Sequence, residues 1–185
     1  MIDLEFSSLP ETIVTGGVEH KVHTSFRVWL RWGRLLKECH IAAPFIFKEE
    51  APPPGSDWVE AALEFYRSDT ATPNGTRKNV NPSMDLLLDG DYLVGSFQYA
   101  YGIDLTSEDM HWHRFLALLR SLPKDAKLSE IASYRTWQND KRKHETIMRE
   151  LRKEWALPSG RGAVIDEEQY DKNIKAHAEK LGIKV

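Results

Sequence analysis

The stretch "YGIDLTSEDMHWHRFLALLRSLP", Tyr101 to Pro123, decides how the chain is read. It sets a His-x-His pair beside the carboxylates Asp104, Glu108 and Asp109. In an extended segment His111 and His113 share one face, where they form part of a metal-ligand set; in a helix they stand about 200° apart and cannot hold one ion. A helical ligand pair is spaced three or four residues apart, as in His-Glu-x-x-His, and no such motif occurs. The local chemistry points to a helix. Thr106 is a good N-cap, Asp109 falls at N3, and Leu105 and Met110 occupy the two positions of a hydrophobic staple. Glu108 and Asp109 complement the positive end of the helix dipole. Trp112, Phe115, Leu116, Leu119 and Leu122 then recur at helical spacing as a core face. The expectation is a helix with the two histidines bordering the core from opposite sides, and no metal site.

Upstream, "PSMDLLLDGDYLVGSFQYAYG" reads as a helix capped by Ser83, with Leu86, Leu87, Leu93, Phe97, Ala100 and Tyr101 as its apolar positions and Gly102 as its stop. Gly90 and Gly95 weaken such a helix by about 1 kcal/mol each relative to alanine, and tight helix packing is the expected reason for both. "DWVEAALEFYRS" is a further helix, with Asp57 and Glu60 forming an approximate capping box. It lies between two breakers, the triple-proline loop "FKEEAPPPGSD" and the polar loop "SDTATPNGTRKNVNPS".

Nearer the N-terminus, "TSFRVWLRWGRLLKECH" carries Phe26, Leu30 and Gly33 or Arg34 on one stripe, which Trp29, Trp32 and Leu36 widen. Before it, "ETIVTGGVEHKVHTSF" places Gly16-Gly17 between two short alternating runs, the signature of a two-residue hairpin turn. Val18, His20 and Val22 share one face of that hairpin; Glu19, Lys21 and His23 share the other. His20 and His23 therefore point apart and make a poor chelate.

Downstream of Pro123 a short helix with Leu128 and Ile131 either continues or reorients into a charged helix. Along that helix Trp137, His144, Met148, Leu151 and Trp155 form a narrow apolar stripe, with Arg135, Arg142, Arg149 and Lys153 on its far side. Residues 135 to 154 hold seven Lys/Arg against four Asp/Glu. Glu145 stands four residues before Arg149 and compensates part of this charge, so a solvated face is expected ahead of a phosphate-tracking one. "PSGRGAV" reads as a linker, and the mostly polar segment to Val185 as a short helix with few anchors.

Composition bounds the rest. A chain of 185 residues, 41% hydrophobic and 29% charged, suits one core-forming domain with an appended tail, divided here as 1–157 and 158–185. A formal charge of -3 speaks against a surface built throughout to hold nucleic acid. The lone Cys39 makes no intramolecular disulfide and reads as an inert thiol in a reducing compartment. The start lacks a secretory leader's charge pattern, and no segment is apolar enough to cross a bilayer, so a cytoplasmic location is expected. No phosphate-binding loop, dinucleotide fingerprint, nucleophile elbow or zinc-type cysteine pair is present. The isolated acids Asp85, Asp89, Asp91 and Asp104 read as surface or capping residues. The expected fold is mainly α, a compact multi-helix domain with a short N-terminal β-hairpin and a helical C-terminal extension. No catalytic, cofactor-binding or metal residue is assigned.

The combination of "TSFRVWLRW", "MDLLLDGDYLVGSFQYAYGIDL", "MHWHRFLALLRSLP" and "LSEIASYRTWQ" resembles the bacteriophage family named for gene product fifteen, found among siphophage tail genes. The resemblance runs over roughly residues 10 to 157. It implies a non-enzymatic protein of the infected host's cytoplasm that serves as a tail assembly chaperone. Such a protein coats the tape-measure protein and helps to recruit major tail protein subunits. A structural virion component, such as a connector or tail-completion protein, is the alternative. Apolar anchors at Trp137, Met148, Leu151 and Trp155, flanked by Arg135, Arg142 and Arg149, are the expected partner-binding residues, gripping a helix in a groove.

Overall fold

In a computed structural model, residues 8–39, 42–53, 57–68, 83–138 and 145–158 are described. They fold mainly as helix, in two compact units. The first takes its described residues from 8–68 and 109–118, the second from 83–108 and 119–158.

The first unit opens with the expected hairpin. Strand β1 (Thr12–Thr15) pairs antiparallel with β2 (Val18–Lys21), in a register that sets Ile13 opposite His20 and Thr15 opposite Val18. Gly16 and Gly17 have φ of 55° and 79°, the left-handed pair that a primed turn demands and that side chains with a Cβ resist. Ile13, Thr15 and Val22 face inward and are buried. Residues 46–48 extend the pairing, with the His23 N–H donating to the Ile46 carbonyl at 2.7 Å and the Lys48 N–H to the Lys21 carbonyl at 3.0 Å.

Helix α1 (Phe26–Cys39) buries Phe26, Trp29, Trp32 and Leu36, while Leu30 stays half-buried at the edge of the stripe. Helix α2 (Trp58–Arg67) packs on β1 and contributes Ala62, Leu63 and Phe65 to the core. Asp57 precedes α2 but makes no side-chain capping bond, because its own backbone is already turned (φ -76°, ψ 18°) instead of extended. Trp29 stacks on Phe65 at 4.6 Å, Tyr66 on Trp112 at 5.0 Å and Phe26 on Phe115 at 4.9 Å. Each large ring fully withdrawn from water contributes about 1.5–3 kcal/mol. The Trp29 indole N–H donates to the His23 carbonyl (2.6 Å) and that of Trp112 to the Tyr66 carbonyl (2.8 Å), so two of the buried indoles keep their hydrogen bonds.

The decisive stretch departs from its sequence reading. Helix α4 (Trp112–Arg120) starts at Trp112, and Thr106 does not cap it. Asp104 caps a separate turn: its carboxylate accepts the Thr106 N–H (2.8 Å), the Thr106 hydroxyl (2.6 Å) and the Ser107 hydroxyl (2.9 Å), while Glu108 accepts the Asp104 N–H (3.0 Å). The Thr106 hydroxyl bond is the first of the causes that hold the Asp104 carboxyl below the usual carboxylate range. Asp109 is no N3 residue; it accepts the Ser25 hydroxyl at 2.8 Å and lies 3.9 Å from the Arg27 guanidinium. Residues 110–112 run extended against the entry to α1. The Phe26 N–H donates to the Met110 carbonyl (2.9 Å) and the Trp112 N–H to the Thr24 carbonyl (2.6 Å). A long-range backbone pairing has displaced a local cap.

In the second unit α3 spans Gly90–Tyr101 and ends, as expected, at Gly102 in the left-handed region (φ 68°), whose N–H returns to the Gln98 carbonyl. Its start lies seven residues beyond Ser83, because Asp85 and Asp89 wind the intervening residues into turns. Asp85 Oδ1 accepts the N–H groups of Leu87 (3.0 Å) and Leu88 (3.1 Å), and Asp89 Oδ2 accepts that of Asp85 (2.8 Å). Helix α5 (Lys127–Thr136) buries Leu128 and Ile131, and the buried Ser96 hydroxyl of α3 accepts the Leu128 N–H at 3.1 Å. Helix α6 (Glu145–Glu154) packs on α5.

Arg135, expected on a surface stripe, is buried. It clamps Asp89 through two bonds (2.5 and 2.8 Å) and donates to the carbonyls of Trp155 (2.7 Å) and Ser83 (3.3 Å). The side chains of Arg135 and Asp89 are 6% and 4% exposed.

The glycines also differ from expectation. Among the described residues a Cβ on Gly90 or Gly95 would meet nothing within 4 Å, so packing between the described helices accounts for neither. Gly33 is the packed one: a Cβ there would fall 2.7 Å from Cζ of Tyr66 and nearer still to its hydroxyl oxygen.

Two outcomes follow for urea unfolding. Arg135→Leu leaves Asp89 buried without its cation and is expected to cost about 3–5 kcal/mol, most of it recovered in the double variant Asp89→Leu/Arg135→Leu. Gly33→Ala is expected to destabilise by about 1–3 kcal/mol although alanine favours helix, because Tyr66 is hemmed in by Trp29, Trp32 and Trp112.

Candidate functional site

The partner-binding residues expected from the sequence do not form one stripe. Helix α5 ends at Thr136, and Trp137 follows it in extended conformation (φ -58°, ψ 131°), so Trp137 does not share a helix with Met148, Leu151 and Trp155. Met148, Leu151 and Trp155 are all half-buried. The Trp155 ring meets Tyr92 edge-on at 5.6 Å and lies beneath the Lys127 ammonium at 5.3 Å, while its carbonyl accepts from Arg135. Arg149 is exposed and ion-paired to Glu145 one turn earlier, as the spacing implied. Arg142 and His144 lie outside the described residues, as do the segment from residue 159 onward and the side chain of Cys39. Arg135 is structural to the second unit, so the cationic members of the stripe that stay exposed within the described residues are Arg149, compensated by Glu145, and Lys153.

The histidine pair, expected to be split across the core, is brought together. His111 occupies the extended bridge and His113 the first turn of α4, and their rings lie 5.3 Å apart. Both nitrogens of His111 are engaged. Nδ1 accepts the His113 backbone N–H at 3.0 Å, which leaves Nε2 to carry the proton it donates to the Pro10 carbonyl at 2.9 Å. Nε2 of His113 lies 2.7 Å from the Phe65 carbonyl, and its ring packs on Phe65 at 4.4 Å. These rings tie the N-terminal segment and the end of α2 to the start of α4. Among the described residues no three His, Cys, Asp or Glu side chains are grouped to hold a metal ion. Asp85, Asp89 and Asp104 satisfy backbone donors, and Asp91 stands exposed on α3.

One concave surface was missed by sequence reasoning. In the second unit Tyr92, Gly95 and Tyr99 line one face of α3, and with Asp91, Ser96, Asp125 and Lys127 they border an open groove of about 340 Å³. The Tyr99 hydroxyl donates to Asp125 Oδ2 at 2.8 Å and Lys127 pairs with Glu130 at 2.8 Å. The spacing Tyr92-x-x-Gly95-x-x-x-Tyr99 was the available signal: three and seven residues are one helical face.

Burial holds the His111 imidazole below its ordinary pKa, partly offset by the Pro10 carbonyl and the charge of Glu11. A depressed pKa means that the unfolded chain binds the proton more readily, so stability present above about pH 6.5 falls as the pH drops through the folded-state value. Thermal melts at about pH 7.5 and about pH 5.5 are expected to show a larger drop in Tm for the native chain than for His111→Asn; equal drops would remove His111 as the cause.

No match was found among curated proteins or among solved structures. A family model described as Bacteriophage Gp15 protein matches residues 6–157, which is 152 of the 185 residues and takes in every helix described above. A match of that extent, over a mainly helical chain with an N-terminal hairpin, makes this protein a member of the bacteriophage Gp15 protein family.

Proposed function

We propose that this phage protein is a tail assembly chaperone: a non-catalytic protein of the infected host's cytoplasm that binds the tape-measure protein and assists assembly of the tail tube from major tail protein. The reading rests on family membership and, within the structure, on one observation. Of the seven large apolar side chains left exposed among the described residues, four (Leu87, Leu88, Tyr92 and Tyr99) lie within thirteen residues on and just before α3. Exposed apolar side chains gathered in so short a segment are characteristic of a protein that holds another protein. Support for a non-catalytic role comes from the acids themselves, since Asp85, Asp89 and Asp104 are spent on capping and on the buried ion pair. A membrane partner is not part of the reading; no helix among the described residues is long and apolar enough to cross a bilayer. Nucleic acid is not part of it either: of the basic stripe, Arg135 is withdrawn into the fold and Arg149 is paired, which leaves Lys153 as its exposed cation among the described residues.

Quantitative mass spectrometry of infected-cell lysate and of purified particles tests the proposal. Abundance in the lysate, absence from particles and co-purification with the tape-measure protein are expected. Retention in particles at fixed copy number would make the protein a structural virion component instead.

A further inference from the structure

Gly95 sits in the middle of α3 with no need of its own conformational freedom: its φ is ordinary and, among the described residues, a Cβ would meet nothing within 4 Å. Mid-helix glycine is less stable than alanine, so the fold alone gives no reason for it. A bare backbone does offer close approach to something outside the chain. The glycine lies between two aromatic posts. Tyr92, 36% exposed, is steadied edge-on by Trp155, and Tyr99, 65% exposed, is tethered through its hydroxyl to Asp125. Leu87 and Leu88, in the turn leading into α3, are exposed as well. The rim is acidic: Asp91 and Asp125 border the groove, and the Lys127 that faces them is already paired with Glu130. Two carboxylates against one ammonium, itself paired with Glu130 outside the groove, leave the lining net negative around an apolar notch.

The geometry points to this groove as the docking site for an amphipathic helix of another protein, laid across Gly95 with small or apolar residues against the notch and Lys or Arg side chains beside Asp91 and Asp125. Tyr92 and Tyr99 clasp the helix on either side, rigid aromatic posts that lose little freedom on binding. The acidic rim selects a basic flank and makes the association salt-sensitive. This deepens the chaperone reading by naming the binding face and the chemistry of the bound segment, and it rests on that reading only for which protein supplies the helix.

The test uses the full chain and three kinds of helical peptide of about 20 residues. Two are synthetic, with one alanine and leucine stripe flanked by lysine or by glutamate; the third set is tiled from the tape-measure protein of the same phage. Binding is followed by fluorescence anisotropy at low and raised salt, and oligomeric state by light scattering. Gly95→Ala is the informative variant, because the fold gains from it: Tm is expected to rise by about 3 °C while affinity for the lysine-flanked peptide falls about tenfold. Asp91→Asn with Tyr99→Ala is expected to weaken it further and to flatten the salt dependence, and the glutamate-flanked peptide is expected to bind weakly or not at all. If the lysine-flanked peptide binds in this way and no tape-measure peptide does, the groove stands and the chaperone reading loses its partner. If tape-measure peptides bind and Gly95→Ala leaves their affinity unchanged, the groove is refuted while the chaperone reading survives elsewhere on the surface. Failure of every peptide to bind, or a dimer that Gly95→Ala dissociates, overturns the proposal, the latter by placing a second copy in the groove.

Discussion

A guanidinium cannot leave water unless acceptors meet its donors, and in the second unit that requirement organises the fold around Arg135. One side chain from α5 reaches Asp89 at the head of α3, the Ser83 carbonyl before it and the Trp155 carbonyl beyond α6. Asp89 in turn accepts the Asp85 N–H, and Asp85 winds the turn that delivers the chain to α3. The pair does little for net stability compared with apolar groups of the same volume, but it is intolerant of partial satisfaction. What it contributes is definition: α3 begins at Gly90 and Trp155 lies against Tyr92 because carbonyl and carboxylate must both face the same guanidinium.

The first unit solves a different problem. Its rings come from α1, α2 and α4, three segments distant in sequence, and indoles need acceptors as well as neighbours. Backbone carbonyls at His23 and Tyr66, freed at a strand end and near a helix C-terminus, supply them. The two backbone bonds between 24–26 and 110–112 then seat Trp112 and Phe115 among rings that α1 and α2 have already gathered. The histidine pair belongs to this arrangement: His111 uses one nitrogen on each of two backbone segments.

Local physics was legible in the sequence, and distant pairing was not. Gly16-Gly17 dictated a hairpin turn because positive φ is a property of the residue itself, and Gly102 stopped α3 for the same reason. The stripes of α1 and α2 were readable because periodicity is local. Thr106 had every local qualification of an N-cap, yet Asp104 took its donors and the pairing with residues 24–26 postponed α4 to Trp112. Arg135 looked like a member of a surface stripe because its partner lies 46 residues away. Gly95 and Gly33 were indistinguishable as sequence, and only the position of Tyr66 separates the packed glycine from the open one.

Because the first unit is drawn from residues 8–68 and 109–118, it stays incomplete through the synthesis of the chain between them. At about 5–20 residues per second, the 50 residues from 68 to 118 take about 3–10 s to polymerise. During that interval Phe26 and Tyr66 have been made without the Phe115 and Trp112 rings that later stack on them. The second unit is also unfinished then, since Asp89 precedes its Arg135. Translation speed thus sets how long a nascent aromatic surface stays exposed, and a clear run of rare codons before residue 118 would lengthen the window in which the host's own folding factors capture the chain.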